Sequence, residues 1–382
     1  MKEERPASSA EAAEVMRTCL SDHARVRVSG GGTKAGWGHV TPEPDTEIST
    51  ARMARVLEHN AGDLTAVVQA GVPLASAQEA FADAGQMFAL DPPPGRDDAA
   101  TIGGILATAD TGPLRHRYGG ARDLVVGVTV ALSDGTLARS GGKVIKNVAG
   151  YDLAKLFSGS FGTLGMITEL SLRLHPRPER TATAALDCDR PEVLERASFA
   201  LAHSSLEAMC LDVSWGQDGG RVMARFVGAA PEPRARAAAD LLEELGDATT
   251  IEDDAGLWDE IRSRQRSQKG AIVRVAGLPS ELARISRAVG RSGGSFVGRG
   301  ALGVVWAELK ADDPRELVGR IEDLRHDLDP FPCVVLDASS DVREKVDVWG
   351  GNQDSSVELM RRIKARFDPQ GLCNPGVFVA GI

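Results

Sequence analysis

The segment "SGGGTK", Ser29 to Lys34, offers consecutive backbone amides with few side chains beside them, which suits close approach to an anion such as a phosphate. Gly30, Gly32 and Ala35 also have the spacing of a dinucleotide-binding G-x-G-x-x-A. That fingerprint requires a helix immediately after it, whose N-terminal amides face the pyrophosphate. Gly36, Gly38, Pro42 and Pro44 exclude such a helix here, at about 1 kcal/mol per glycine and about 3 kcal/mol per proline. Lys34 does not stand in the frame of a P-loop lysine either. An anion cradle and a glycine-rich hairpin turn both remain open. Two more glycine clusters follow, "DPPPGRDDAATIGGILATADTG" from Asp91 to Gly112 and "GSFGTLGMITELSLRL" from Gly159 to Leu174. Together the three suit an elongated cofactor with two phosphates, a purine and a flat ring, against the alternative of three unrelated tight loops.

The elements that must hold these loops fall into two compositions. Residues 1 to about 178 are rich in glycine and short β-branched runs, with a strand expected over Val26–Val28 leading into the first loop. The prolines of "HPRPER", His175 to Arg180, mark a linker. Beyond it, strands are expected at Ala208–Trp215, Arg221–Val227, Ala271–Ala276, Gly303–Leu309 and Cys333–Leu336. Between them, Ala238, Leu241, Leu242 and Leu245, and again Leu317, Ile321, Leu324 and Leu328, recur at helical spacing and read as core faces. The expectation is an antiparallel or mixed sheet covered by helices on one side. A last helix places Met360, Ile363 and Phe367 on one face and Arg361, Arg362 and Lys364 on an exposed one, before Asp368-Pro369 ends it.

A formal charge of -10 disfavours nucleic acid and anionic membranes as partners. No apolar run reaches the length of about 18 residues needed to span a bilayer, and the first residues lack an apolar signal core, so a cytoplasmic protein without direct membrane insertion is expected. The five cysteines, Cys19, Cys188, Cys210, Cys333 and Cys373, form no C-x-x-C pair. This chain is therefore expected to ligate neither zinc nor an iron-sulfur cluster.

The ordered set "SGGGTK", "TIGGILATADTG", "YDLAKLFSGSFGTLGMIT" and "FDPQGLCNPG" resembles the FAD-binding flavoproteins of the p-cresol methylhydroxylase and vanillyl-alcohol oxidase type. "GGKVIKNVAGYD", Gly141 to Asp152, is similar to the FAD-binding E-type subunits of glycolate oxidase. The resemblance implies an α+β fold with a two-part FAD-binding domain over residues 1–178, an α+β cap over 179–345, and a C-terminal segment, 346–382, returning to the FAD domain. It assigns FAD to Ser29, Gly30, Gly31, Gly32, Thr33 and Lys34 in the first loop and to Pro93, Thr101, Ile102, Gly103, Gly104, Ala107, Thr108 and Gly112 in the second. Gly162, Gly165 and Ile167 would line the adenosine end, and Asn374 would approach from the C-terminus. Many members tether FAD to a histidine beside the first loop; Thr33 stands there, which implies noncovalent FAD.

Two departures shape the functional expectation. The related catalytic subunits carry an H-x-G-D-x-N-x-H segment for metal binding and proton abstraction, and this chain has none; His203 and His326 lie in helical patterns and read as surface residues. Asp110 replaces an asparagine common in the second loop and is expected to point outward. Oxidation of an anionic hydroxy acid needs a cation for the carboxylate and a base for the hydroxyl proton. Arg117, Lys146 and Tyr151 are the candidates, with a solvated loop as the alternative for the arginine and an anion-stabilising role toward the flavin for Lys146. The expected protein is a flavoprotein subunit of a glycolate oxidase-like complex, passing electrons to or from a catalytic flavoprotein subunit and an iron-sulfur subunit, and membrane-associated only through them. A self-sufficient dehydrogenase of a small hydroxy acid or alcohol, and an FAD-binding scaffold without turnover, stand as alternatives.

Overall fold

The structure is a computed structural model that describes residues 1–142, 152–351 and 355–382. In the first part, Lys2–Glu4, Thr46–Ser49 and Val26–Ser29 form a parallel sheet with Thr46–Ser49 in the middle. Beside it lies a five-stranded sheet in the order Val56–Asn60, Thr65–Gln69, Met166–Arg173, Val125–Ala131, Leu137–Gly141. Val68, Phe81, Ile102, Ile105, Val130, Phe157 and Leu170 share its core. No helix follows Thr33: residues 33–45 run as turns and irregular chain, as their glycines and prolines require.

The second part is one eight-stranded antiparallel sheet, in the order Ala248–Ile251, Thr181–Cys188, Gly219–Val227, Cys210–Gly216, Ser295–Arg299, Val304–Leu309, Ala271–Ala276, Cys333–Asp337. Side chains alternate across it as a pleated strand dictates. Leu211, Val213, Val273 and Val275 meet the helices Pro191–Ala202, Pro231–Leu242, Leu282–Arg291 and Pro314–Leu328. Ile272, Val297, Trp306 and Val334 point the other way and pack with Trp37 and Leu114 of the first part. The expectation of a sheet covered on one side is thus corrected: both faces are covered, because the second face is also apolar and packs on Trp258 and Ile261 of the helix Ala255–Ser263 and on the first part.

The stripe Leu317, Ile321, Leu324, Leu328 is buried. Leu241 is not: it is 44% exposed, because Ala238, Ala239 and Leu242 take the inward face and Leu245 falls in a separate 3-10 turn. Lys364 also departs from its expected exposed face. It is partly buried and ion-paired with Asp368 at 2.6 Å, and it donates to the carbonyls of Thr163 and Cys373, tying the helix Ser355–Phe367 down. The C-terminal segment returns to the first part, where Val26 N–H donates to Leu372 O and Asn374 N–H to Val26 O.

Candidate cofactor and substrate site

A cleft of about 330 Å³ lies where the first glycine loop, the helix Ile102–Thr108 and the C-terminal segment meet. Ser29, Gly30, Gly31, Gly32, Thr33, Lys34, Thr101, Gly104, Thr108 and Asn374 line it, together with Trp37, His39, Phe161 and Arg343. Segments distant in sequence are brought together there. The backbone N–H groups of Gly31, Gly32, Thr33 and Lys34 donate to no described group. Gly32 has φ +70 and open space beside its α-carbon. A run of free amides at a cleft wall is the donor set a pyrophosphate needs.

Glycine also lets the loops pack closely. A Cβ on Gly30 would stand 2.3 Å from Thr101 Oγ1, and one on Gly31 would stand 1.6 Å from Ala99 O, so the two loops touch through these residues. Gly103 packs on Ala70, and Gly112 on Asp91. The amides of Gly103 and Gly104 already donate to Ala70 O and Thr101 Oγ1. Ile102 and Ile167 are core residues, Gly162 and Gly165 are turns at φ +72 and +139, and none of these four lines the cleft. Pro93 and Ala107 also lie outside its lining. Asn374 Nδ2 donates to Phe161 O at 2.7 Å, which fixes the cleft's far wall.

Asp110 corrects its expected outward orientation. Its carboxylate is buried and faces Lys34 Nζ at 3.2 Å, both side chains being almost wholly enclosed. Each charge needs the other there, since a lone buried ion would be strongly disfavoured. Lys34 Nζ also donates to Thr33 Oγ1.

Arg117 is exposed in the short helix Arg115–Tyr118. Arg115, two residues earlier, is half-buried, and burial and Arg299 push its guanidinium pKa down. Arg274 lies on the strand Ala271–Ala276 in register with Trp306 and Val334, whose side chains face the FAD-binding part. Burial, then Arg115, lowers its pKa, while Asp110 opposes. Neither guanidinium has a hydrogen bond or ion pair among the described residues. Two cations at the seam, near Asp110 but not ion-paired with it among the described residues, can bind an anion. Lys146 and Tyr151 lie outside the described residues. The Tyr118 ring packs tilted against His175 at 4.6 Å, and burial raises its phenol pKa. His203 and His326 are exposed. Among the described residues no group of three His, Cys, Asp or Glu side chains could hold a metal ion.

Nothing in the sequence pattern marks the seam's other polar residues. Arg299, wholly buried, pairs with Asp212 at 2.6 Å, donates to Gly112 O at 3.0 Å and lies 4.7 Å from the Trp306 ring. Burial pushes Asp212 up to about 7 against that cation. Asp91 accepts from Leu114 N–H, and burial raises it to about 6, opposed by that bond and by Arg262, Arg299 and Arg225. Because the folded state holds a proton that the unfolded chain releases, Asp91 favours folding below about pH 4, and that contribution is lost as pH rises to about 6. Asp91→Asn, which keeps the acceptor, is expected to gain about 3 kcal/mol relative to the parent between pH 4 and pH 7.5. Urea unfolding of both proteins at the two pH values checks this; an equal difference at both would remove the assignment.

Residues 4–141 match the family described as the FAD binding domain, and residues 349–378 that described as the C-terminal domain of FAD linked oxidases. Over 197 residues the chain is 34% identical to the mitochondrial D-lactate dehydrogenase [cytochrome] of Arabidopsis thaliana, covering 52% of this chain and 34% of that protein. Over 196 residues it is 33% identical to glycolate oxidase subunit GlcE of Escherichia coli (strain K12), covering 51% and 54%. The chain therefore spans about a third to a half of the length of these two relatives. A solved alkyldihydroxyacetonephosphate synthase shares the fold at TM-score 0.71 and 17% identity, over 98% of this chain and 76% of that one. The fold and cleft define a flavin-binding α+β protein. The chain carries an FAD-binding domain and a segment matching the C-terminal domain of FAD linked oxidases, and FAD is its cofactor. Among the described residues no helix is long and apolar enough to cross a membrane.

Proposed function

We propose that the chain oxidises a small anionic hydroxy acid with noncovalent FAD, as one subunit of a glycolate oxidase-like complex, and that its units are 1–178, 179–345 and 346–382. The observation that carries the substrate class is Arg274, half-buried at the seam near Arg115, with no hydrogen bond or ion pair to its guanidinium among the described residues and its nearby acid, Asp110, paired with Lys34. In this reading the two guanidiniums hold the substrate carboxylate, and the free amides of Gly31 to Lys34 hold the cofactor's phosphates. FAD, when bound, supplies the hydride acceptor. Lys146 and Tyr151 stay the candidates for receiving the hydroxyl proton, and Arg117, being exposed, gives its carboxylate role to Arg115. Noncovalent binding is supported by Thr33 at the tether position and by His39, whose Nε2 faces Asp347 at 3.5 Å.

The subunit reading rests on the missing H-x-G-D-x-N-x-H segment, on the absence of C-x-x-C pairs, and on the likeness to GlcE. Without a well-placed base, oxidation loses about 10²- to 10⁴-fold in rate. An iron-sulfur partner would take the electrons onward. The test adds glycolate or D-lactate anaerobically to the FAD-loaded chain, with and without copurified partners. Slow bleaching alone and fast dye reduction in the complex are expected. Fast reduction by the isolated chain would establish the self-sufficient dehydrogenase instead, and no reduction in either would leave a scaffold.

A further inference from the structure

Two consecutive residues of the cap, Gln265 and Arg266, each reach one of the two glycine loops. They follow the helix Ala255–Ser263. Gln265 is buried, and its Nε2 donates to Thr111 O at 2.9 Å, while its Oε1 accepts from Arg299 Nη2. Arg266 Nη2 donates to Thr33 O at 2.7 Å. Asp337 holds the same guanidinium through Nε at 2.7 Å and Nη2 at 3.0 Å, and also accepts from Trp37 Nε1 at 2.8 Å. The Arg266 guanidinium lies over the Trp37 ring at 5.1 Å, so its position is fixed from several sides.

The pinned carbonyls belong to the peptide units Thr33–Lys34 and Thr111–Gly112. In a planar trans peptide the N–H points opposite to the C=O. Holding each carbonyl toward the cap therefore turns Lys34 N–H and Gly112 N–H away from it. Neither N–H donates to any described group, although Gly112 is buried, and buried amides almost always have an acceptor. A charged donor on the carbonyl also polarises the peptide and strengthens the N–H at its other end.

Resting on the FAD assignment above, we propose that Gln265 and Arg266 are positioning residues for the cofactor: Arg266 orients the Lys34 amide at the cleft wall and Gln265 holds the second loop through Thr111, so that cap docking and FAD binding are a single coupled equilibrium. Coupling of this kind is reciprocal, so FAD must also hold the cap turn in place.

The test titrates FAD into the apo forms of the parent, Gln265→Met, Arg266→Lys and Arg266→Met by flavin fluorescence quenching, with hydrogen exchange of residues 261–268 followed with and without FAD. Failure of the parent to bind FAD would overturn the cofactor assignment itself. With the parent binding, Gln265→Met and Arg266→Met are expected to weaken FAD at least about 10-fold, the scale of one well-placed hydrogen bond, and Arg266→Lys less. FAD should slow exchange at 261–268 in the parent and much less in Gln265→Met. Arg266→Met loses a partner of Asp337 and is open to misfolding; Gln265→Met and Arg266→Lys then decide. Unchanged FAD affinity in Gln265→Met and Arg266→Lys, with or without lowered apo stability, would reduce the contacts to a structural tie and overturn the proposal.

Discussion

Gly32→Asp is expected to purify folded and free of FAD. Gly32 sits at φ +70, where an L side chain is strained, but aspartate and asparagine tolerate this region better than most residues. No atom lies within 4 Å of the site a Cβ would occupy, so the new side chain meets no wall of the fold. It does enter the cleft beside the free amides of Gly31, Thr33 and Lys34. A carboxylate there competes for those donors and repels phosphate at a few ångströms, a distance at which like charges in a partly enclosed site cost several kcal/mol. An affinity loss of about 100-fold or more follows. Gly32→Asn, with the same shape and no charge, should retain more cofactor. Flavin absorbance of the purified proteins, alongside circular dichroism to check folding, decides it. Normal flavin content in Gly32→Asp would remove the loop from the cofactor site.

Glycine pattern made the cleft legible, and helical and strand periodicity made much of the second part legible, for a common reason: both are local. Ala271–Ala276 occupies the expected bounds, and the stripe from Leu317 to Leu328 is buried as its spacing requires. What local pattern cannot carry is pairing between residues far apart in sequence. Asp110 read as an outward charge because Lys34, its partner, is remote in the chain. Lys364 read as surface because its acceptors on Thr163 and Cys373 come from two other segments. Glycine type was visible while its cause was not. Gly30 and Gly31 are small because the two loops press together, whereas Gly32 faces the open cleft. Arg274 stood in an ordinary apolar strand, and only the alternation of that strand against the docked first part turns it into a half-buried cation.

That cation leads to the prediction that separates substrate binding from stability. Arg274→Met should weaken an anionic substrate or analogue about 100-fold, because a charge-assisted hydrogen bond to a carboxylate in a site of low polarity is worth about 2 to 3 kcal/mol. Ordinarily, removing a buried arginine destabilises a protein by stranding its partner. Arg274 has no hydrogen-bond or ion-pair partner among the described residues, and burial and Arg115 weigh against its charge more than Asp110, which is paired with Lys34, favours it. Replacing it with an apolar chain of similar length relieves both, so the apo protein should unfold at the same or a higher urea concentration, the trade of stability against function expected at a binding site. Arg274→Lys should recover part of the affinity as a point charge without the planar fork. The affinity is read as the shift of bound-flavin absorbance on titration with oxalate, which needs no turnover, and a neutral diol serves as the control ligand. Unchanged oxalate affinity in Arg274→Met would place the anion elsewhere. A fall in both affinity and apo stability would show that Arg274 holds the seam together rather than waiting for a ligand.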